Sequence, residues 1–525
     1  MLGKPSVGLV RIRLALGSLL REGSPVSIAP EYLGGGPPPA VGAVTAVRTT
    51  GIYCRAGCVA RPLPANTVIY PNPVAAETAG FRPCLRCRPE LEPPLSPEGF
   101  PDGVARALVL ISDGYLDDHT EARLAARLGY STRHLRRLFL AEVGATPARV
   151  ARSRRAHFAR RLLDESGLTI TQIAFAAGFR SVRQMNRVMA ETFRFPPSEL
   201  RRRGRRNPGP AADSVDGGLE LRIPHRGPLD FGAMARYLGS RAIPGVEHVS
   251  AGENGPRYSR TVALCGSPGV IEVTSGVENH TGGHLAVTAH LPTFASLIDL
   301  VAGVRRLFGL DRDHHRAVEA LMGDALLGDL VGGAPGWRPA GALDGFETAV
   351  RIVVGQQISV AGASTMTGRL AALGPEVGGL DRVGLGRLFP GPETLARADL
   401  DGLGFTAGRI RTLRALATAV AEGSLVLERG ESIPGARQTL MALPGVGPWT
   451  TELIAMRIFG DPDAFPASDL GLRKGLAALV GADSPVPAAE LAEVAERWRP
   501  HRSLAAVHLW RAAALGPEGL ARVRG

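Results

Sequence analysis

Four of the chain's five cysteines, Cys54, Cys58, Cys84 and Cys87, fall within 34 of its 525 residues. The spacing is C-x3-C, a loop, then C-x2-C, and two close pairs joined by a loop are what tetrahedral zinc–thiolate coordination requires. Four unrelated free thiols are the alternative, and their crowding argues against it. A segment this small cannot bury much core, so a metal is its natural staple and Zn2+ is the expected cofactor. On spacing alone, a purely structural zinc site is the ordinary meaning. Five cysteines in so long a chain make no disulfide scaffold, which fits a reducing cytoplasm.

At roughly 150 residues per domain the length predicts three or four domains. With 45% hydrophobic and 21% charged residues, the chain is neither mainly disordered nor collagenous. Three Pro/Gly-rich stretches punctuate it: 34–42, 89–103 and 201–218, the last a basic run relaxing into a tether. The net charge of +12 is unevenly placed, since 101–206 holds 21 Arg against 10 Asp and Glu. A polyanion-binding module is therefore expected there, with a merely solvated basic face as the alternative. No run of 18 uncharged apolar residues occurs, so no membrane span is expected. Arg11 and Arg13 interrupt the apolar N-terminus, which argues against a signal peptide. Residues 219–290 alternate like strands, and helical periodicity dominates from about 292. The fifth cysteine, Cys265 in TVALCGSPG, reads as a buried strand residue.

RTTGIYCRAGCVARP (48–62) and AGFRPCLRCRPE (79–90) resemble the N-terminal domain of Ada, the bacterial adaptive-response protein. The resemblance implies that Cys54 accepts a methyl group from a DNA methylphosphotriester, with Arg48, Arg55, Arg82 and Arg86 placed to reach phosphates. Zinc keeps such a thiolate deprotonated and nucleophilic. Methylating one of four thiolates lowers the centre's negative charge and so its repulsion from DNA. Cys265 lacks the P-C-H-R context of Ada's O6-methylguanine methyltransferase module, which is not expected here.

Two helix-turn-helix patterns follow, EARLAARLGYSTRHLRRLFLAEVG (121–144) and TITQIAFAAGFRSVRQMNRVMAETF (169–193), with turns at Gly129 and Gly178. Their second helices open at Ser131 and Ser181 and carry Arg133, His134, Arg136 and Arg137, then Arg183, Gln184 and Arg187. Such residues suit base edges and phosphates in the major groove. Ordinary helical hairpins with solvated arginines are the alternative. The pair, joined by a long helix, resembles the AraC-type DNA-binding domain.

LPGVGPWTTELIAMR (443–457) reads as a helix-hairpin-helix in which Gly445 and Gly447 let backbone N–H groups approach a phosphate. With DAFPASDLGLRKGL (463–476) it resembles the helix-hairpin-helix DNA glycosylases, whose catalytic Asp falls at Asp469. The same residue can also cap the following helix. FETAVRIVVGQQISVAGA (346–363) and RWRPHRSLAAVHLWRAA (497–513) are similar to the AlkA-type 3-methyladenine glycosylases. That resemblance puts Trp449, Trp510 and Leu453 in the base pocket, Leu453 standing where AlkA has Tyr. It puts Gln357 where AlkA has its intercalating Leu. Trp449 also occupies the Schiff-base Lys position of the lyase members, which implies monofunctional hydrolysis. Core tryptophans are the alternative meaning of the two indoles.

The expected fold class is multidomain, mainly α with α+β parts. Its expected domains are an unplaced N-terminus (1–42), an Ada-type zinc-binding methyl-acceptor domain (43–92), an AraC-type double helix-turn-helix domain (100–202), a mixed α+β AlkA N-terminal domain (217–325) and an all-α helix-hairpin-helix glycosylase domain (326–525). The expected function is DNA alkylation repair with adaptive-response regulation. A regulator with an inactive glycosylase half is the alternative. Double-stranded DNA and RNA polymerase are the expected partners of a monomeric, cytoplasmic, nucleoid-associated chain.

Overall fold

Alternation in VTAV and the β-rich IYCR and TVIY build the first sheet. Strands β1 (Val44–Val47), β2 (Ile52–Arg55), β3 (Thr67–Tyr70) and β4 (Arg82–Pro83) lie in the order β3-β1-β2-β4, with helix α1 (Pro73–Thr78) packed against them. Among the described residues its buried apolar core is Val44, Ala46, Tyr53 and Ala76, with Tyr70 and Phe81 packed against it. The computed structural model describes residues 42–60, 62–91, 95–204, 218–253, 255–279, 282–312, 314–378 and 384–524. The expected N-terminal segment, Gly42 apart, and the tether at 205–217 lie outside them.

Eight helices follow: α2 (Asp102–Ser112), α3 (Tyr115–Asp118), α4 (Glu121–Arg127), α5 (Thr132–Glu142), α6 (Pro147–Glu165), α7 (Ile170–Ala176), α8 (Val182–Phe193) and α9 (Pro197–Gly204). Side-chain caps start five of them. Thr120, Ser131, Thr146, Thr169 and Ser181 each accept a bond from a first-turn N–H. Gly129 and Gly178 take positive φ at the two hairpin turns. The long helix α6 joins the two hairpins.

A five-stranded antiparallel sheet comes next, β5 (Leu219–Arg226), β6 (Glu247–Gly252), β7 (Gly255–Leu264), β8 (Ser267–Asn279) and β9 (Gly282–His290), in the order β5-β9-β8-β7-β6. Helix α10 (Phe231–Gly239) packs against β6 and β7. Cys265 is exposed, against expectation. With Gly266 it forms the two-residue turn between β7 and β8, both at positive φ. Local turn geometry overrides the apolar run that precedes it.

The rest is helical: α11 (Leu297–Leu307), α12 (His315–Met322), α13 (Gly328–Gly332), α14 (Gly345–Val354), α15 (Val360–Ala371), α16 (Pro392–Arg397), α17 (Ala407–Ala421), α18 (Ile433–Met441), α19 (Pro448–Ile454), α20 (Leu470–Val480), α21 (Ala488–Ala495) and α22 (Arg502–Arg524). Helix α19 runs on into a π-helical turn, Ala455–Phe459, and α22 is broken at Gly516. One large apolar core unites α12 to α22. A second core crosses a boundary that the sequence marks with a tether. Ile173, Met185 and Phe193 of the second helix-turn-helix share it with Leu221 and Ile223 of the sheet and Ile298 of α11.

His508 on α22 is fully buried, and neither ring nitrogen has a hydrogen-bond partner among the described residues. Burial, and then the charge of Arg511, lowers its pKa to about 3. The unfolded chain takes up this proton near pH 6.5, so between pH 6.5 and 3 it binds more protons than the folded one. Stability is therefore lost as pH falls through that window, by about 1.4 kcal/mol per unit from this residue. Urea unfolding at about pH 7.5 and about pH 5.5 should show a loss that His508→Leu reduces by about that amount. An equal loss in both proteins would discount the histidine.

Candidate functional site

Cys54 lies on β2 opposite Thr45 of β1, and the amide of Cys84 donates to Tyr53 O at 2.9 Å, which brings the two cysteine pairs together. The four sulfur atoms all lie within 4.8 Å of one another. Tetrahedral ligands about 2.3 Å from a zinc ion sit roughly 3.8 Å apart, so the four fit that ion. Without a cation the thiols perturb one another. Burial, then Cys84 and Cys87, pushes Cys54 above the ordinary thiol range, and burial takes Cys87 up to about 12. Burial also raises Cys84, but N–H donors from Cys87 and Arg86 outweigh it and hold that thiol low. Four thiolates in this space need a cation. Arg48, Arg55 and Arg86 are exposed nearby and Arg82 is half-buried.

The buried Tyr53 hydroxyl donates to Glu77 Oε1 at 2.8 Å, and His157 Nε2 of α6 lies 2.6 Å from the same oxygen. Asn72 Nδ2 donates to Val143 O at 3.0 Å. Sequence reasoning missed these contacts, which seat the cysteine module on α6 and on the end of α5. On the second helices Arg133, Arg137, Arg183 and Arg187 are exposed. Arg136 makes a two-pronged pair with Glu121, and Arg137 lies 3.0 Å from His134 Nδ1. Gln184 accepts from the Arg180 amide at 3.0 Å, so its side chain also serves the turn. Exposed Asn186 between Arg183 and Arg187 was passed over.

In the helical half, α18 and α19 meet at Leu443–Gly447. Gly445 has φ +76°, and a Cβ there would lie 2.1 Å from Thr412 Oγ1, so neither conformation nor space admits another residue. Around Gly447 a Cβ meets open space. Gln356 Nε2 donates to Gly445 O at 3.1 Å and to Thr450 Oγ1 at 2.8 Å, tying the loop after α14 to the hairpin. Gln357, exposed at the tip of that loop, holds φ +57° beside exposed Ile358.

Asp469 caps α20, its Oδ1 accepting from the Leu472 amide at 3.0 Å. Trp510 Nε1 donates to the same oxygen at 2.9 Å, and Trp449 Nε1 donates to Oδ2 at 2.9 Å. One carboxylate thus gathers two indoles 61 residues apart in the chain and a helix terminus. Both tryptophans are half-buried; Leu453, one turn beyond Trp449, is packed in the core. Gly471 lets this happen: a Cβ there would lie 2.8 Å from Trp510 Cδ1 and 3.0 Å from Asp469 Oδ1. Tyr237 of α10 approaches from the sheet domain. Burial raises its pKa, Arg457 and Arg241 outweigh that, and the charge of Asp469 opposes them. No local pattern in the sequence marks Gly471 or Tyr237.

A cavity of about 610 Å³ lies elsewhere, between the cysteine module, α6 and α11. Two of the arginines lining it are already paired, Arg154 with Asp117 and Asp299 and Arg305 with Asp311. The indole–carboxylate cluster is the better candidate for chemistry.

Three known families match the chain. The metal binding domain of Ada matches residues 40–90, a helix-turn-helix domain 124–203 and the AlkA N-terminal domain 220–344. A Mycobacterium tuberculosis protein named a probable bifunctional transcriptional activator/DNA repair enzyme AlkA is 43% identical over 472 residues, which is 89% of this chain and 92% of that one. The DNA-3-methyladenine glycosylase 2 of Escherichia coli is 32% identical over 54% of this chain and 94% of its own. The bifunctional transcriptional activator/DNA repair enzyme Ada of E. coli is 36% identical over 31% of this chain and 44% of its own.

Proposed function

The chain belongs to the family of the bifunctional transcriptional activator/DNA repair enzyme AlkA, and on that premise we propose that it hydrolyses the N-glycosidic bond of alkylated bases in double-stranded DNA while its N-terminal half takes up methyl groups and binds DNA as an activator. The observation that carries this reading is the Asp469 carboxylate, held by two indoles and a helix terminus. As the bond to the base breaks, the sugar gains oxocarbenium character, and a fixed anion beside it stabilises that charge. Three N–H donors fix the orientation of its two oxygens. Electron-rich indoles favour the cationic bases that N-alkylation makes, by roughly 0.5–2 kcal/mol per contact. Such bases already leave readily, so a pocket of modest selectivity is enough. Trp449 offers no amine, which supports hydrolysis without a Schiff base.

Cys54, Cys58, Cys84 and Cys87 would hold Zn2+, which keeps thiolates charged at neutral pH. Cys54 Sγ attacks the methyl carbon of a methylphosphotriester: an S–C bond forms, the C–O bond breaks and the phosphodiester leaves as its anion. Exposed Arg133, Arg137, Arg183 and Arg187 would meet DNA. RNA polymerase as partner, a monomeric state and a nucleoid-associated location complete the reading.

The test is base release from methylated duplex DNA by the full-length chain. Release by the wild type supports the enzyme; none leaves a regulator whose second half only grips DNA. The same assay checks the glycine. Gly471→Ala should lower kcat about tenfold, equivalent to about 1.4 kcal/mol of lost transition-state stabilisation, by displacing Trp510 from Asp469. Stability should fall by no more than about 1–3 kcal/mol, the cost of one unmet indole donor, part of which the helix preference of Ala offsets. An unchanged kcat would show that the indole seat does not matter.

A further inference from the structure

The loop between α17 and α18 carries LERGE (427–431), and the first helix-turn-helix sits on it. Arg127, at the end of α4, reaches Glu431 at 2.6 Å and Glu428 at 2.9 Å. Arg106 Nε of α2 donates to Gly430 O at 2.9 Å. Gly430 has φ +84°, and a Cβ there would lie 2.6 Å from Leu110 Cγ, so the loop is shaped to that helix. Asp113, just after α2, receives Arg429 of the loop at 2.8 Å and Arg306 of α11 at 2.9 Å, and Arg429 also reaches Asp311 at 2.7 Å. Buried ion pairs add little net stability, but they are strict about geometry and so specify one arrangement. The second helix-turn-helix docks independently, through the apolar core it shares with α11 and through Ser296 N donating to Phe175 O at 3.0 Å. Two unlike contacts, one on each hairpin, exclude the picture of domains strung on a flexible tether. From the docked loop, α18 leads over nine residues, about 14 Å, to the hairpin turn before Trp449.

We infer that the loop Leu427–Glu431 is a docking surface for the first helix-turn-helix of the same chain, and that the docked body presents its DNA-reading helices and its excision site to one duplex in fixed register. The DNA-reading half then selects where on the helix excision occurs. The excision part rests on the base-releasing reading above; the docking does not.

Small-angle scattering of the full-length chain tests the docking without any activity. A single compact body of this length has a radius of gyration of about 24 Å. The wild type should lie near that value, and Arg127→Glu with Asp113→Lys should raise it measurably as the first hairpin swings out about α6 while the second keeps its own contact. Arg127→Glu combined with Glu428→Arg and Glu431→Arg, which restores the pair with Asp113 intact, should return it. Equal dimensions in all three overturn the docking, as does an already extended wild type. The register is tested on duplexes carrying one methylphosphotriester and one N7-methylguanine at stepwise separations. Wild-type release should rise and fall several-fold with a period of about 10.5 base pairs, and the expanded variant should give a smooth profile. A smooth wild-type profile overturns the register. No release at any separation defeats the excision reading and the register with it, while the docking stands or falls by scattering.

Discussion

Asp469→Asn should cut the release of alkylated bases by roughly 10³-fold. The substitution keeps shape and helix-capping ability, since Asn caps as well as Asp. It removes the negative charge that would face a developing oxocarbenium. It also puts an NH2 where one indole N–H now finds an oxygen: with donors at 2.9 Å on both carboxylate oxygens, one tryptophan must lose its acceptor. The folding penalty is small by comparison, about 1–3 kcal/mol for one unmet donor. Folding and catalysis therefore separate. A melting curve close to wild type with base release gone is the expected pair of results, and release within a few-fold of wild type would refute the assignment of this carboxylate.

Cys84→Ala should have a comparably large effect confined to the other end of the chain. Among the described residues four buried side chains, with Tyr70 and Phe81 against them, form the apolar core of the cysteine module, too few to hold it, and structural zinc sites contribute roughly 10–16 kcal/mol of binding energy that is also folding energy. Losing one of four ligands should abolish stoichiometric metal binding, leave the sheet of residues 44–83 open to protease and stop methyl uptake at Cys54. Base release from a short duplex should stay within about twofold, because a separate core supports Asp469. Metal analysis, proteolysis and the release assay on the same preparation distinguish these effects. Retained metal with intact methyl transfer would mean that Cys84 is not a ligand.

Much of this architecture was legible without coordinates because it is written in short-range chemistry. The two turn glycines, the serines that cap the second helices and the alternation within 219–290, as in VIEVTSG, each act over a few residues, and all take the expected conformation. Asp469 was legible as a helix cap as well as a carboxylate candidate. Cys265 failed because an apolar run was read through a turn that its own Cys-Gly pair makes. Gly471 and Tyr237 were invisible for a different reason. What singles them out is the approach of Trp510, 39 residues on, and of Asp469 from another domain, and no local pattern encodes either meeting.

The order of modules, the four sulfurs suited to zinc and the residue types at the candidate catalytic cluster were determined by the sequence, since each follows from the intrinsic chemistry of neighbouring residues. The tertiary structure alone decided that both indoles converge on one carboxylate and that the helix-turn-helix pair sits on the excising half through Asp113, Arg127 and a shared apolar core. Hydrogen bonds and ion pairs act over a few ångströms of space whatever the distance along the chain, so only the folded path shows which groups meet.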